Sequence, residues 1–128
     1  MKFMVTLLLI TAGYLPAVGV FASDLAGEWK IEDRPVWVKI QFDSDTGTGT
    51  VQRNDNKPEV VGRIILKDVV SDADQPGAWR GQVYAARLEE FKDAEIMLPE
   101  PDQLQIKVKV GFMSRTVTWI RATAVAGE

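Results

Sequence analysis

From residue 26 onward, apolar and polar side chains alternate with period two, and the three-to-four spacing of an amphipathic helix is nowhere sustained. Val36, Val38, Ile40 and Phe42 fall on one face of a strand, with Lys39 and Gln41 on the other. Leu104, Ile106, Val108 and Val110 alternate as cleanly against Gln105, Lys107 and Lys109. Arg115–Arg121 is rich in the β-branched and aromatic residues that suit a pleated, half-buried surface. Weaker alternation predicts strands at Gly27–Asp33, Thr48–Arg53, Val60–Lys67, Trp79–Ala85 and Lys92–Leu98.

Turn chemistry separates these segments at Asp43–Gly47, Asn54–Pro58, Ser71–Gly77, Pro99–Asp102 and Gly111–Ser114. Only Ala85–Phe91 has room for a helical turn. Eight short strands joined by short links predict an all-β, eight-stranded antiparallel up-and-down barrel, because closure removes the strand edges that invite aggregation. Its first and last strands should pair. The expected core is Trp29, Val38, Ile40, Phe42, Ile64, Val83, Ile96, Leu104, Ile106, Val108 and Trp119.

The first 22 residues differ in kind. Lys2 opens them, an apolar run reaches Phe21 with Pro16 interrupting it, and Val20-Phe21-Ala22 puts small or modest residues at the −3 and −1 positions. That is the layout of a secretory signal peptide. An uncleaved anchor is the competing reading, since a run of ~18–20 residues could just span a bilayer, although Gly and Pro weaken it. Cleavage after Ala22 leaves one domain of 106 residues, Ser23–Glu128, in the periplasm or secreted, with no stable membrane insertion.

Composition narrows the chemistry. The 128-residue chain is 46% hydrophobic and 26% charged, as a soluble globular protein is. Its net charge of −3 and pI near 5.0 argue against nucleic acid, which needs a clustered basic surface. Histidine and cysteine are both absent, so no Ser-His-Asp or Cys-His nucleophile system, His/Cys zinc site or disulfide can form. No catalytic residue, metal or cofactor is expected, and an enzyme is the least favoured reading.

Gly27-Glu28-Trp29 near the start and Trp119-Ile120-Arg121 near the end carry a resemblance when taken with Pro58–Leu66, Trp79–Tyr84 and Leu104–Gly111. In order and spacing these segments resemble the bacterial domain-of-unknown-function family 2147, small exported barrels, over about residues 26–121. The chain departs from that pattern at Thr46–Thr50, where family members often carry a Cys pair, and at Ala85–Lys92. More distantly it looks like the lipocalin and fatty-acid-binding superfamily, a calycin-like barrel. There an Arg on the last strand covers a Trp on the first. By that resemblance Gly27, Trp29, Trp119 and Arg121 close one end of the barrel.

Other candidate sites have plainer alternatives. Asp43-Ser-Asp45 lacks the Gly and Glu of a calcium loop, and a solvated hairpin turn explains it better. Glu89, Glu90, Asp93 and Glu95 could supply a glycosidase carboxylate pair, but strand parity turns Asp93 and Glu95 to solvent. Trp37 projects opposite to Val36 and Val38, and an exposed Trp among polar groups is a common binding anchor, although burial under a loop is equally open. Arg80 and Tyr84 share one strand face and could contact an anionic ligand or a partner. Two roles remain for a non-enzymatic barrel: binding a small apolar or amphipathic ligand, or binding a protein, as an inhibitor of exported hydrolases does.

Overall fold

The computed structural model describes residues 24–124, so the expected signal peptide lies outside the described residues. Eight strands form: β1 (Gly27–Ile31), β2 (Val36–Asp43), β3 (Thr46–Asn54), β4 (Ile64–Ser71), β5 (Ala78–Ala85), β6 (Glu90–Glu100), β7 (Gln103–Val110) and β8 (Met113–Arg121). Each pairs antiparallel with the next, and β1 pairs with β8 through Trp29↔Arg121, Lys30↔Ile120 and Ile31↔Trp119, closing the barrel. Short 3-10 turns lie at Pro58–Val60 and Ala122–Ala124.

The links follow local chemistry. Ser44 takes a left-handed backbone (φ 59°) in the two-residue link from β2 to β3. The Asn54 carboxamide oxygen accepts from the Asn56 and Lys57 N–H groups and leads into the 3-10 turn. The helical turn after Ala85 is a single one. Glu89 N–H donates to the Ala85 carbonyl, and Glu89 itself is left-handed at φ 55°. Gly111-Phe112 is a two-residue hairpin loop in which Gly111 supplies the positive φ (66°) that the first central position of such a turn needs.

Inward positions are filled by side chains. Trp29, Trp79, Trp119, Ile40, Leu66, Ile96, Leu104 and Ile106 are fully buried and share one cluster. Three inward glycines stand where a Cβ would crowd a neighbour. A Cβ on Gly49 would lie 2.9 Å from Leu66 Cβ, one on Gly81 3.0 Å from the Lys67 carbonyl, and one on Gly47 2.7 Å from the Phe42 ring. Small residues on β3 and β5 thus make room for large ones on the strands beside them.

Two core expectations need correction. Ile64 is 46% exposed because it stands opposite outward-facing Thr50, and a register shift between Ile64 and Leu66 lets Ile65 pack against the core instead. Leu66 and Val69 fill the core from β4, the latter after a register shift beside left-handed Asp68 (φ 56°). Phe42 is only half-buried, packed at the edge of the core across from Gly47.

Candidate functional site

The barrel is shut at the end where β1 begins and β8 stops. The Arg121 guanidinium lies 4.2 Å over the Trp29 ring, and its N–H groups donate to the carbonyls of Asp24, Ala26 and Pro101 at 3.0–3.1 Å. The Trp29 indole N–H donates to the Leu25 carbonyl at 2.9 Å, drawing the segment before β1 across the opening. Gly27 fits for two reasons. Its φ of 126° suits glycine, and a Cβ there would sit 3.1 Å from Arg121 Nη1. Trp119 is 2% exposed beneath the same junction, opposite Ile31 on β1 and Leu104 on β7. These four residues hold strands together and present little to a ligand.

Trp37 points out of the wall, but it is only 7% exposed, so it is not the open anchor that strand parity suggests. Its cross-strand neighbours explain this. Lys30 on β1 and Arg53 on β3 both stand opposite Trp37, and their cations lie 5.6 and 4.1 Å from its ring centroid. Arg53 faces Trp37 because the register shifts between Trp37 and Val38, leaving Gln52 as an extra residue on β3. Beside them lies an open depression of about 430 Å³ lined by Glu28, Trp37, Gln52, Arg53, Ala122 and Thr123.

The cations beside that depression already have partners. Arg53 makes a two-pronged pair with Asp55 at 2.8 and 3.1 Å, and Lys30 donates to the Ile31 and Glu32 carbonyls. Hydrogen bonding from Arg53 holds the Asp55 carboxyl below its ordinary pKa. The Trp37 indole N–H is buried without a partner.

Arg80 and Tyr84 lie three strands further round the wall and do not join Trp37 in one site. Arg80 is exposed, while Tyr84 packs edge-on against Phe91 at 5.4 Å, and Lys67 covers the Phe91 ring. The acidic residues of β6 are engaged separately: Glu90 pairs with Lys92 at 2.8 Å, and Asp93 accepts from Gln82. Among the described residues no three acidic side chains gather as a metal site would require. No helix among them is long and apolar enough to cross a membrane.

Sequence parity misses the opposite rim. In an up-and-down barrel the β1–β2, β3–β4, β5–β6 and β7–β8 links share one end. Six of the eight large hydrophobic residues exposed in the described structure stand at that end: Val61, Ile64, Leu88, Val110, Phe112 and Met113. Phe112 is 100% exposed at its hairpin tip. The available signal is an aromatic inside a two-residue turn, where polar residues are usual.

Fold and surface together define a small closed β-barrel with a packed interior and one apolar rim. No protein-family model, curated protein or solved structure matches the chain.

Proposed function

We propose that this protein is an exported, non-enzymatic binding module that engages a protein partner through the apolar rim of its barrel. The observation that carries the reading is where apolar surface has been left. The interior admits no extra methyl at Gly49 or Gly81, while Phe112 and Met113 at the rim are 100% and 66% exposed. A filled barrel with apolar groups outside suits a partner better than an enclosed ligand. The absence of His and Cys supports a role without catalysis. Export is supported by Lys2, the apolar run to Phe21 and the Val20-Phe21-Ala22 site, and by the resemblance to the exported barrels of domain-of-unknown-function family 2147.

The depression at Trp37 favours a second reading, a small amphipathic ligand, since its volume of about 430 Å³ exceeds the roughly 300 Å³ at which ligand sites begin. Against that reading, it is open on the outer wall and its cations are occupied.

Titration with a sixteen-carbon fatty acid, followed by tryptophan fluorescence, distinguishes the two. Protein binding at the rim predicts no saturable one-to-one change. A saturable change lost in Trp37→Phe would move the site to the depression. Export predicts mature protein beginning at Ser23 by N-terminal sequencing from a Gram-negative host, and retention of Met1 in the cytoplasm would refute it.

A further inference from the structure

The strand β8 is nine residues long but β1 only five, and the mismatch leaves an edge. Pairing between them covers Trp119–Arg121, and the last bond runs from the Glu32 N–H to the Thr118 carbonyl at 3.0 Å. Beyond it the chain turns away through Asp33 and Arg34 into β2. In an antiparallel ladder, successive residues direct their N–H and C=O groups to opposite neighbours. Thr118 serves the β1 side, so Thr116 and Ser114 serve it too. Among the described residues no backbone group meets them there. The edge is in the open, since every residue from Lys109 to Val117 is exposed.

Most exposed strand edges are protected by a bulge, a proline or a covering loop. This one carries Met113, Arg115 and Val117 on the inward parity instead, with Phe112 at the tip. On the outward parity Lys109 and Lys107 of β7 stand opposite Ser114 and Thr116. The short Ser and Thr side chains leave the two ammonium groups able to reach across β8 to a strand about 10 Å from β7. No Asp or Glu occurs between Gln103 and Arg121. Glu95 stands opposite Lys107 on β6, yet neither forms an ion pair among the described residues.

We propose that the free edge of β8 at Ser114 and Thr116 takes an extended acidic-apolar segment of a protein partner as an added strand. This rests on the protein-binding reading above and names its surface and the partner's chemistry. Main-chain bonds to Ser114 and Thr116 hold the segment. Its acidic residues meet Lys107 and Lys109 on the outer face, and on the other its apolar residues meet Met113 and Val117 with an acidic or polar residue between them facing Arg115. A second copy of this chain fits poorly. The symmetric antiparallel register that uses both free residues of each chain sets Arg115 against Arg115 of the copy, and like charges directly opposite are unfavourable.

Selection from a random octapeptide library displayed on phage tests this, with selected peptides added to the ¹⁵N-labelled protein. Without peptide, the Ser114 and Thr116 amides should exchange rapidly with solvent while Arg115 and Val117 are protected by β7. Selected peptides should be rich in Asp, Glu and β-branched residues and free of central proline. They should slow exchange at Ser114 and Thr116, and bind about tenfold more weakly to K107E/K109E. Peptides that are basic, or that protect the Trp37 depression or another surface, overturn the edge proposal and leave the protein-binding reading standing. No enrichment above background overturns both. Slow exchange at Ser114 and Thr116 without peptide, with a concentration-dependent doubling of mass, would show a second copy on the edge and overturn the acidic partner.

Discussion

Trp29 and Trp79 are equally buried, and their indole N–H groups separate them. That of Trp29 donates to the Leu25 carbonyl, while that of Trp79 has no partner. A buried donor left unmade costs about 1–3 kcal/mol, so removing it recovers part of what a smaller ring loses in packing. Trp79→Phe should therefore change stability by less than about 1 kcal/mol. Trp29→Phe should cost at least about 2 kcal/mol, since it loses both volume and a satisfied bond. Urea unfolding of the two variants checks the contrast, and equal losses would contradict it. Arg121→Ala removes a cation over an indole and donors to three carbonyls, and should cost about 2–3 kcal/mol. Arg121→Lys should restore little, because an ammonium lacks the planar fork that spans those carbonyls. Full stability in the lysine variant would assign the role to charge alone. The Asp55 pair is at the surface and follows the usual sign for a depressed carboxylate. It contributes above the ordinary carboxylate pKa and is lost as pH falls through the lowered value.

Strand periodicity was legible for β2 and β7, where one face is buried and the alternation is unbroken. It failed where the ladder slips. The extra residue at Gln52 sets Arg53 over Trp37, the shift beside Asp68 brings Val69 into the core, and the shift before Leu66 turns Ile64 outward with Thr50. A bulge changes which residues are opposite without altering the apolar pattern nearby, so period-two reading carries no trace of it. The meeting of Trp29 and Arg121 was expected through the resemblance to lipocalin-like barrels, and it fits the two strands that join when eight strands close. The exposed hairpin tip was not, because parity assigns Val110 to an inward face, whereas β7 and β8 run on past the core. Close packing between strands gives a further test. Gly49→Ala would force a Cβ against Leu66 Cβ and Val38 Cγ1 and should cost about 1–3 kcal/mol. Gly47→Ala meets only the outer edge of the half-buried Phe42 ring, which can turn aside, and should cost less. Thermal unfolding that ranks them the other way would mean the interior near Leu66 is loose.

The whole barrel has two unlike ends. Arg121, Trp29 and the Leu25 segment shut one, and apolar side chains surround the other without being buried by the chain itself. A filled, closed sheet has little to offer inside, so the proposed partner is assigned to the apolar surface outside. Native mass spectrometry of the protein purified from exporting bacteria, beside an F112S/M113S variant, tests this most directly. Binding at the rim predicts a chain free of small molecules and a protein complex that is present for the wild type and lost in the variant. A small apolar molecule retained at one per chain, equally in both proteins, would contradict it.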